Sequence, residues 1–200
     1  MSQAALRLVL LDSGGANLGS VQAAFERLGV AAPVSSDWNT IRAASHLVLP
    51  GVGAAATAMA KLRDNGLAAL IPKLTQPLMG ICIGMQLLYE RSAENDTECL
   101  GLLPGSVLKL PAAPGVRVPH MGWNRLDVEV EHPLVAGLDR QWVYFVHSYA
   151  APVSGLTLAS CTHGKPFAAV VASDRIMGAQ FHPERSSAPG ARLLRNFLAL

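Results

Sequence analysis

Three short stretches of the sequence carry residue types that could do chemistry together. The first, residues 80–84, reads Gly-Ile-Cys-Ile-Gly. Small residues on either side of a central nucleophile let a strand turn sharply into a helix and expose that side chain. A helix N-terminus favours the thiolate form of a cysteine, which is the nucleophilic form. Taken alone the pattern at Cys82 is a weak signal, because most free cysteines are small buried hydrophobic residues.

The second stretch is Gln180-Phe181-His182-Pro183-Glu184, which follows an apolar run. In an extended chain, residues two positions apart point to the same side, so His182 and Glu184 can face one way. Such a carboxylate orients the imidazole, and the imidazole exchanges protons with a thiol. In isolation the pair favours a surface turn that has no partner, because a single His-x-Glu is common.

The third stretch is Leu49-Pro50-Gly51-Val52-Gly53, which also follows an apolar run. A flexible loop at this place can turn a backbone N–H toward a developing oxyanion. The N–H of Ile83, next to the thiol, would be the second donor. The alternative is a tight connection from strand to helix, for which glycine and proline are normal choices.

Alternating strands and helices must position these stretches. Up to residue 110, apolar runs predict strands at 6–11, 32–34, 46–49 and 78–81, and helical spacing predicts helices at 18–28, 55–64 and 84–91, with Asn17 as N-cap and Gly29 as stop. A turn is predicted at 12–16. Farther on, short strands are predicted at 107–110, 126–130, 143–149, 157–161, 168–172 and 176–181, before a final helix that contains Leu193, Leu194, Phe197 and Leu198. This pattern indicates one α/β domain over residues 1–200, with a mostly parallel sheet, flanking helices and antiparallel additions.

Composition excludes several classes of protein. Half of the 200 residues are hydrophobic and 15% are charged, which is unlike a disordered chain. A net charge of +2 without a basic run does not favour nucleic-acid or membrane-surface binding. The three cysteines have no Cys-x-x-Cys spacing, so neither a disulfide scaffold nor a structural zinc site is expected. We predict a cytoplasmic globule with free thiols, no targeting segment, no membrane span, no metal and no cofactor.

The three stretches together resemble the class I, triad-type glutamine amidotransferases, which have a flavodoxin-like fold. Within that family the chain is most similar to the glutaminase subunits of imidazole glycerol phosphate synthase. The subfamily resemblance rests on segments 50–53, 119–124 (Pro-His-Met-Gly-Trp-Asn), 144–149 (Tyr-Phe-Val-His-Ser-Tyr) and 180–197. The family usually has Asp-Tyr-Gly-x-Gly-Asn in its first loop, where residues 12–17 read Asp-Ser-Gly-Gly-Ala-Asn.

The resemblance implies a role for each matching residue. Cys82 would attack the carboxamide of glutamine, His182 would move the protons, and Glu184 would orient His182. The N–H groups of Val52 and Ile83 would form the oxyanion hole. Glutamine would be held by further residues, namely Gly51, Gly53, Gln86, Glu94, Ser148 and Tyr149.

The resemblance also implies a partner. Ammonia would pass to a (β/α)8-barrel cyclase subunit that forms imidazole glycerol phosphate and an aminoimidazole carboxamide ribotide in histidine biosynthesis. The residues that match the family's subunit interface are Asn17, Asp96, Met121, Trp123 and Arg185. Asp96 resembles a residue that pairs with a lysine of the partner.

Three other interpretations remain open from the sequence. One is the glutaminase of another ammonia-channelling synthase, such as that of pyridoxal phosphate, although segment 119–124 argues against it. Another is a catalytically silent regulatory subunit, against which the intact Cys82, His182 and Glu184 argue. The last is a ligand-binding domain that uses residues 12–17 as a phosphate loop, but that run lacks the full Gly-x-Gly-x-x-Gly spacing.

Overall fold

The computed structural model describes residues 6–14 and 17–200. Its α-helices are α1 (Leu18–Glu26), α2 (Trp38–Arg42), α3 (Ala55–Asp64), α4 (Leu67–Leu70), α5 (Ile83–Gln86) and α6 (Ser187–Leu198). Its strands are β1 (Leu8–Leu11), β2 (Val34–Ser35), β3 (His46–Gly51), β4 (Leu78–Cys82), β5 (Tyr89–Ser92), β6 (Thr97–Glu98), β7 (Leu103–Lys109), β8 (His120–Arg125), β9 (Asp127–Val128), β10 (Trp142–His147), β11 (Tyr149–Ala150), β12 (Thr157–His163), β13 (Lys165–Ser173) and β14 (Ile176–Ala179). Short 3-10 turns lie at Ile71–Lys73, Glu94–Asp96, Pro133–Val135 and Pro183–Arg185.

A central sheet brings the functional stretches to one edge. Its strand order is β2-β1-β3-β4-β14-β13-β12-β9, and the pairs from β2 through β14 are parallel. Every residue of β1, β4 and β14 is buried, as expected for parallel strands covered on both faces. Because β3, β4 and β14 run parallel, their carboxyl ends meet, and Gly51 lies opposite Cys82. The predicted mostly parallel α/β fold is confirmed.

Antiparallel strands complete the molecule. β13 pairs with β14, β12 with β13, and β9 with β12. β8 and β10 form a separate two-stranded antiparallel sheet, called the β8–β10 sheet below. A third sheet has the order β11-β7-β5-β6. One hydrophobic cluster runs through the described residues, and no helix in that part of the chain is long and apolar enough to cross a bilayer.

Several predicted elements agree with the structure. The helix predicted at 55–64 is α3 without change, and Leu193, Leu194 and Phe197 form the buried side of α6. Asn17 occupies the N-cap position of α1, but its side chain makes no capping hydrogen bond among the described residues. Gly29 follows α1 with a φ of 80°, a conformation that favours glycine. Of the turn predicted at 12–16, residues 15 and 16 lie outside the described residues.

The helix predicted at 84–91 is wrong beyond its first turn. α5 ends at Gln86, and the chain then forms β5, which pairs in parallel with β7. A short apolar run cannot distinguish helix from strand by periodicity, so the pairing with β7 decides. β8 was not predicted, because Gly122 and Asn124 weaken its strand pattern. Its pairing with β10 supplies the missing stabilisation.

Candidate active site

Cys82 occupies a sharp turn between β4 and α5. Its backbone has φ 54° and ψ −111°, a rare conformation for a residue with a side chain. The turn is possible because the flanking residues are glycines. A Cβ atom on Gly84 would lie 1.8 Å from the Leu49 carbonyl oxygen, and one on Gly80 would lie 2.5 Å from the Gly84 oxygen. The sequence pattern of a nucleophile between two glycines therefore has its physical reason here.

We expect Gly84→Ala to destabilise the chain by about 3 kcal/mol or more, because the new methyl group must displace backbone atoms of the central sheet. Urea unfolding measures the effect. Gly19→Ala is the matched control, since Gly19 lies in α1 with open space where its Cβ would be. That change should stabilise the chain by up to about 1 kcal/mol. Equal stability of the Gly84→Ala variant and the wild type would contradict the packing described for this turn.

His182 and Glu184 form a buried hydrogen-bonded pair. His182 Nδ1 donates to Glu184 Oε1 at 2.7 Å, and only 3% and 1% of the two side chains are exposed. His182 is extended, but Glu184 lies in the 3-10 turn Pro183–Arg185, so the pair is not formed by a simple extended segment. His182 Nε2 is buried and has no hydrogen-bond partner among the described residues.

Electrostatics favour a charged pair. Burial lowers the pKa of His182, but its contacts with Cys82 Sγ and the Glu184 carboxylate outweigh this and raise it to about 10. Burial would raise the pKa of Glu184, but His182 and then Asn17 hold it below its ordinary value. The imidazole is therefore a cation at neutral pH, placed between the Glu184 carboxylate and the Cys82 sulfur.

Asn17 contacts the same carboxylate. Its Nδ2 donates to Glu184 Oε1 at 2.5 Å, the oxygen that also accepts from His182. The sequence placed Asn17 at a partner interface and did not connect it with the triad. The structure therefore adds Asn17 to the groups that fix the orientation of Glu184.

A pocket of about 510 Å3 opens over these groups, a volume suited to a small ligand. Most of the predicted site residues line it, namely Asn17, Val52, Gly53, Cys82, Ile83, Gln86, Glu94, Ser148, Tyr149, His182 and Arg185. Gly51 packs against the turn instead, where a Cβ would lie 2.7 Å from the Gly84 nitrogen. Glu184 lies behind His182, as an orienting group should.

Two polar side chains are held at the pocket wall. Gln86 Nε2 donates to the Tyr149 carbonyl at 2.8 Å and to Gln180 Oε1 at 3.0 Å. Glu94 is half-buried, and its Oε2 accepts the Ala55 N–H at 2.7 Å, the first N–H of α3. Both side chains therefore have fixed orientations before any ligand binds.

Gln180 contacts the nucleophile, a role that its sequence context did not predict. It is fully buried, and its Nε2 lies 3.8 Å from Cys82 Sγ. A donor at this position stabilises a thiolate. The available signal was the spacing of two residues between Gln180 and His182 just after β14, which puts both side chains on one side of an extended segment.

The remaining predicted interface residues lie outside the pocket. Met121 and Trp123 of β8 are 64% and 49% exposed, and Trp142 of β10 is 55% exposed. These side chains make one face of the β8–β10 sheet unusually apolar. Within the chain, Arg91 binds Asp96 with two hydrogen bonds of 2.8 and 2.7 Å, and the contact of Asp96 with a partner lysine stays a prediction.

The other two cysteines lack the features of Cys82. Burial raises the pKa of Cys99 to about 11 and that of Cys161 to about 12, so both remain thiols at neutral pH. The part of the chain that the structure describes contains no group of three or more His, Cys, Asp or Glu side chains that could hold a metal ion.

Comparisons with known proteins agree with this geometry. The family model "Glutamine amidotransferase class-I" matches residues 9–200. The chain is 56% identical, over 96% of its length and 97% of the relative, to the imidazole glycerol phosphate synthase subunit HisH of Xanthomonas campestris pv. campestris. It is 52% identical, over the same shares, to the HisH subunit from Xylella fastidiosa. The solved structure of PurLQS from Thermotoga maritima superposes with a TM-score of 0.73 at 19% identity, over 97% of this chain and 98% of that one. The chain therefore belongs to the class I glutamine amidotransferase family.

Proposed function

We propose that this chain, as one amidotransferase domain over residues 1–200, is the glutaminase subunit of imidazole glycerol phosphate synthase. The observation that carries the proposal is Cys82, which lies on a strained turn beside the buried His182–Glu184 pair. The identity to HisH relatives supports the choice of synthase. L-Glutamine is the substrate, glutamate and ammonia are the products, and the cytoplasm remains the predicted location.

In the first half of the reaction, Cys82 Sγ attacks the carboxamide carbon of glutamine as a thiolate, with His182 as the neighbouring cation. The N–H groups of Val52 and Ile83 stabilise the oxyanion that forms. The C–N bond then breaks, and the nitrogen takes the proton of the His182 cation and leaves as ammonia. The product is a γ-glutamyl thioester on Cys82.

In the second half, His182 is neutral and takes a proton from water. The water oxygen bonds to the thioester carbon, the C–S bond breaks, and glutamate leaves. The sulfur returns as thiolate beside the His182 cation, so the starting charges are restored. Glu184 accepts from His182 Nδ1 throughout, which keeps Nε2 directed at the reacting atoms.

Glutamine binding is assigned to the groups at the pocket wall. Glu94 keeps one carboxylate oxygen for the substrate's ammonium group while the other accepts from Ala55. Gln86 Oε1 is buried with no partner among residues 6–14 and 17–200, and its side chain lines the pocket. An N–H of glutamine would satisfy it. Ser148 and Tyr149 offer backbone groups, and Gly53 leaves room for the ligand.

The proposed partner is a (β/α)8-barrel cyclase that uses the ammonia to form imidazole glycerol phosphate. Ammonia is small and becomes ammonium in water, so direct delivery within a complex favours the acceptor reaction. The apolar face of the β8–β10 sheet has the chemistry of a subunit contact. On that face Trp123 packs edge to face with Tyr144, at 6.0 Å between ring centroids, and would be a binding anchor.

We expect Trp123→Ala to weaken binding of the cyclase subunit by about 2 kcal/mol, or roughly thirtyfold in Kd, with little change in unfolding free energy. Titration calorimetry or surface binding with the purified cyclase measures this. Trp38→Ala is the matched control, because Trp38 on α2 is also exposed, at 37%. Equal affinity of the Trp123→Ala variant and the wild type would remove this face from the proposed interface.

The proposed function is tested by measuring glutamate release from glutamine. The chain is assayed alone, with the cyclase subunit, and with the cyclase plus its nucleotide ligand. Low activity alone that rises strongly with the ligand-loaded partner supports the proposal. Folded protein that releases no glutamate in any mixture would overturn it in favour of a silent regulatory subunit.

A further inference from the structure

Three histidines, of which His147 lines the pocket, pack together without belonging to the triad. The His120 and His163 rings stack with their centroids 4.1 Å apart. His120 Nδ1 lies 3.1 Å from His147 Nε2, and both side chains are buried. These two residues are directly opposite each other on neighbouring strands of the β8–β10 sheet. We call His120 and His147 the histidine relay.

At one end of the histidine relay, the hydrogen bonds of Asn124 fix which atoms donate and which accept. Asn124 Oδ1 accepts the backbone N–H of Arg125 at 2.8 Å, and Asn124 Nδ2 donates to the Thr162 carbonyl at 3.0 Å. These two backbone partners settle which way the amide faces. Asn124 Nδ2 also lies 3.3 Å from His120 Nε2 and must donate to it. His120 therefore carries its proton on Nδ1.

At the other end, the hydrogen bond from His147 to the Tyr149 carbonyl gives the same order of donors and acceptors independently. His147 Nδ1 lies 2.9 Å from the Tyr149 carbonyl oxygen, which can only accept, so this nitrogen is the protonated one. His147 Nε2 is then an acceptor for His120 Nδ1–H. Burial lowers the pKa of His120 to about 4 and that of His147 to about 3, so both rings are neutral at pH 7. Each histidine has one tautomer, and each donates toward the Tyr149 carbonyl.

The relay ends on the atom that orients Gln86. The Tyr149 carbonyl accepts from both His147 Nδ1 and Gln86 Nε2. The second N–H of Gln86 is used by Gln180 Oε1. Gln86 Oε1 is thus left over, buried and without a partner in the described part of the chain, on a side chain that lines the pocket.

We propose that His120 and His147 are positioning residues for glutamine: the relay holds the Tyr149 carbonyl, which fixes the Gln86 amide with its oxygen turned toward an N–H of the substrate. This inference rests on the proposed glutaminase function and deepens it. His120 acts through His147, Tyr149 and Gln86, at a distance of four hydrogen bonds from the substrate.

Imidazole 15N NMR of the full wild-type chain, labelled at histidine, tests the relay without any activity assay. Long-range 1H–15N spectra distinguish the protonated nitrogen of a neutral ring from the bare one. Both His120 and His147 are expected to carry the proton on Nδ1 at pH 7.5. A proton on Nε2 of either ring, or a charged ring, would overturn the proposal.

Kinetics with the cyclase partner and its ligand test the consequence. His120→Phe keeps a ring stacked on its neighbours but loses the donor, and the KM for glutamine should rise about tenfold while kcat changes less than about threefold. His120→Asn restores a donor near the Nδ1 position and should recover part of the loss. His163→Phe, the control, keeps the stacking and lies outside the relay, so its KM should match the wild type.

The outcomes separate the two proposals. An inactive wild-type mixture contradicts the glutaminase function itself. An active wild type with an unchanged KM in a folded His120→Phe variant contradicts only the relay. A His120→Phe variant that fails to fold leaves the NMR result on the wild type as the deciding measurement.

Discussion

Replacing Cys82 with alanine is expected to lower glutaminase activity by at least about 10^4-fold, because the variant has no atom that can form the thioester. The loss should persist with the ligand-loaded cyclase, and the unfolding free energy should change little. Glutamate release measures the activity, and mass spectrometry of the acid-quenched wild type should detect the γ-glutamyl adduct on the peptide that contains Cys82.

Cys161→Ala and Cys99→Ala are the matched controls for this result. Their thiols have pKa values raised by burial to about 12 and about 11, so they are not expected to act as nucleophiles. Both variants should keep wild-type kcat once folded. Substantial glutamate release by the Cys82→Ala variant would exclude the proposed covalent mechanism.

The second large effect is expected for Glu184→Gln. The neutral amide no longer stabilises the His182 cation, whose pKa should fall from about 10. The expected loss of glutaminase activity is about 10^3- to 10^4-fold, on the scale known for triads whose orienting carboxylate becomes an amide. Steady-state glutamate release against pH measures both the loss and the shift.

The Glu184→Gln variant also tests the charged pair through the pH dependence of the unfolding free energy. Glu184 has a lowered pKa, so its contribution is present above about pH 4.5 and is lost as the pH falls. His182 has a raised pKa, so its contribution is complete below about pH 6.5 and is lost as the pH rises through about 10. Wild type and Glu184→Gln should therefore differ most in unfolding free energy between about pH 4.5 and 6.5. A difference that grows toward pH 10 would contradict the charged pair.

The turn at Cys82 could be predicted because it depends on local chain geometry. The pair His182–Glu184 was predicted from an extended segment, whereas in the structure a 3-10 turn brings Glu184 to His182. Glycines at 80 and 84 are needed wherever a strand turns this sharply, and the structure places the Leu49 carbonyl where a Cβ of Gly84 would be. The family resemblance placed the three stretches together, and the structure gives the physical reason, because parallel strands β3, β4 and β14 bring their carboxyl ends to one edge.

Contacts that depend on distant pairing could not be predicted in the same way. The helix expected at 84–91 gives way to β5, because residues near 103–107 offer β5 a strand partner. Asn17 reaches Glu184 across 167 positions of sequence. The order Asn124, His120, His147, Tyr149 is visible only when β8 and β10 are paired, since neither segment alone specifies its register.

Glutamine labelled with 15N at the amide tests the central claim most directly. The chain, the cyclase and its nucleotide substrate are mixed with this glutamine and a comparable concentration of unlabelled ammonium. A glutaminase that delivers ammonia within a complex should give imidazole glycerol phosphate that is almost fully labelled, with one glutamate formed for each product. Product that carries the isotope ratio of the bulk ammonium, or no glutamate at all, would contradict the account.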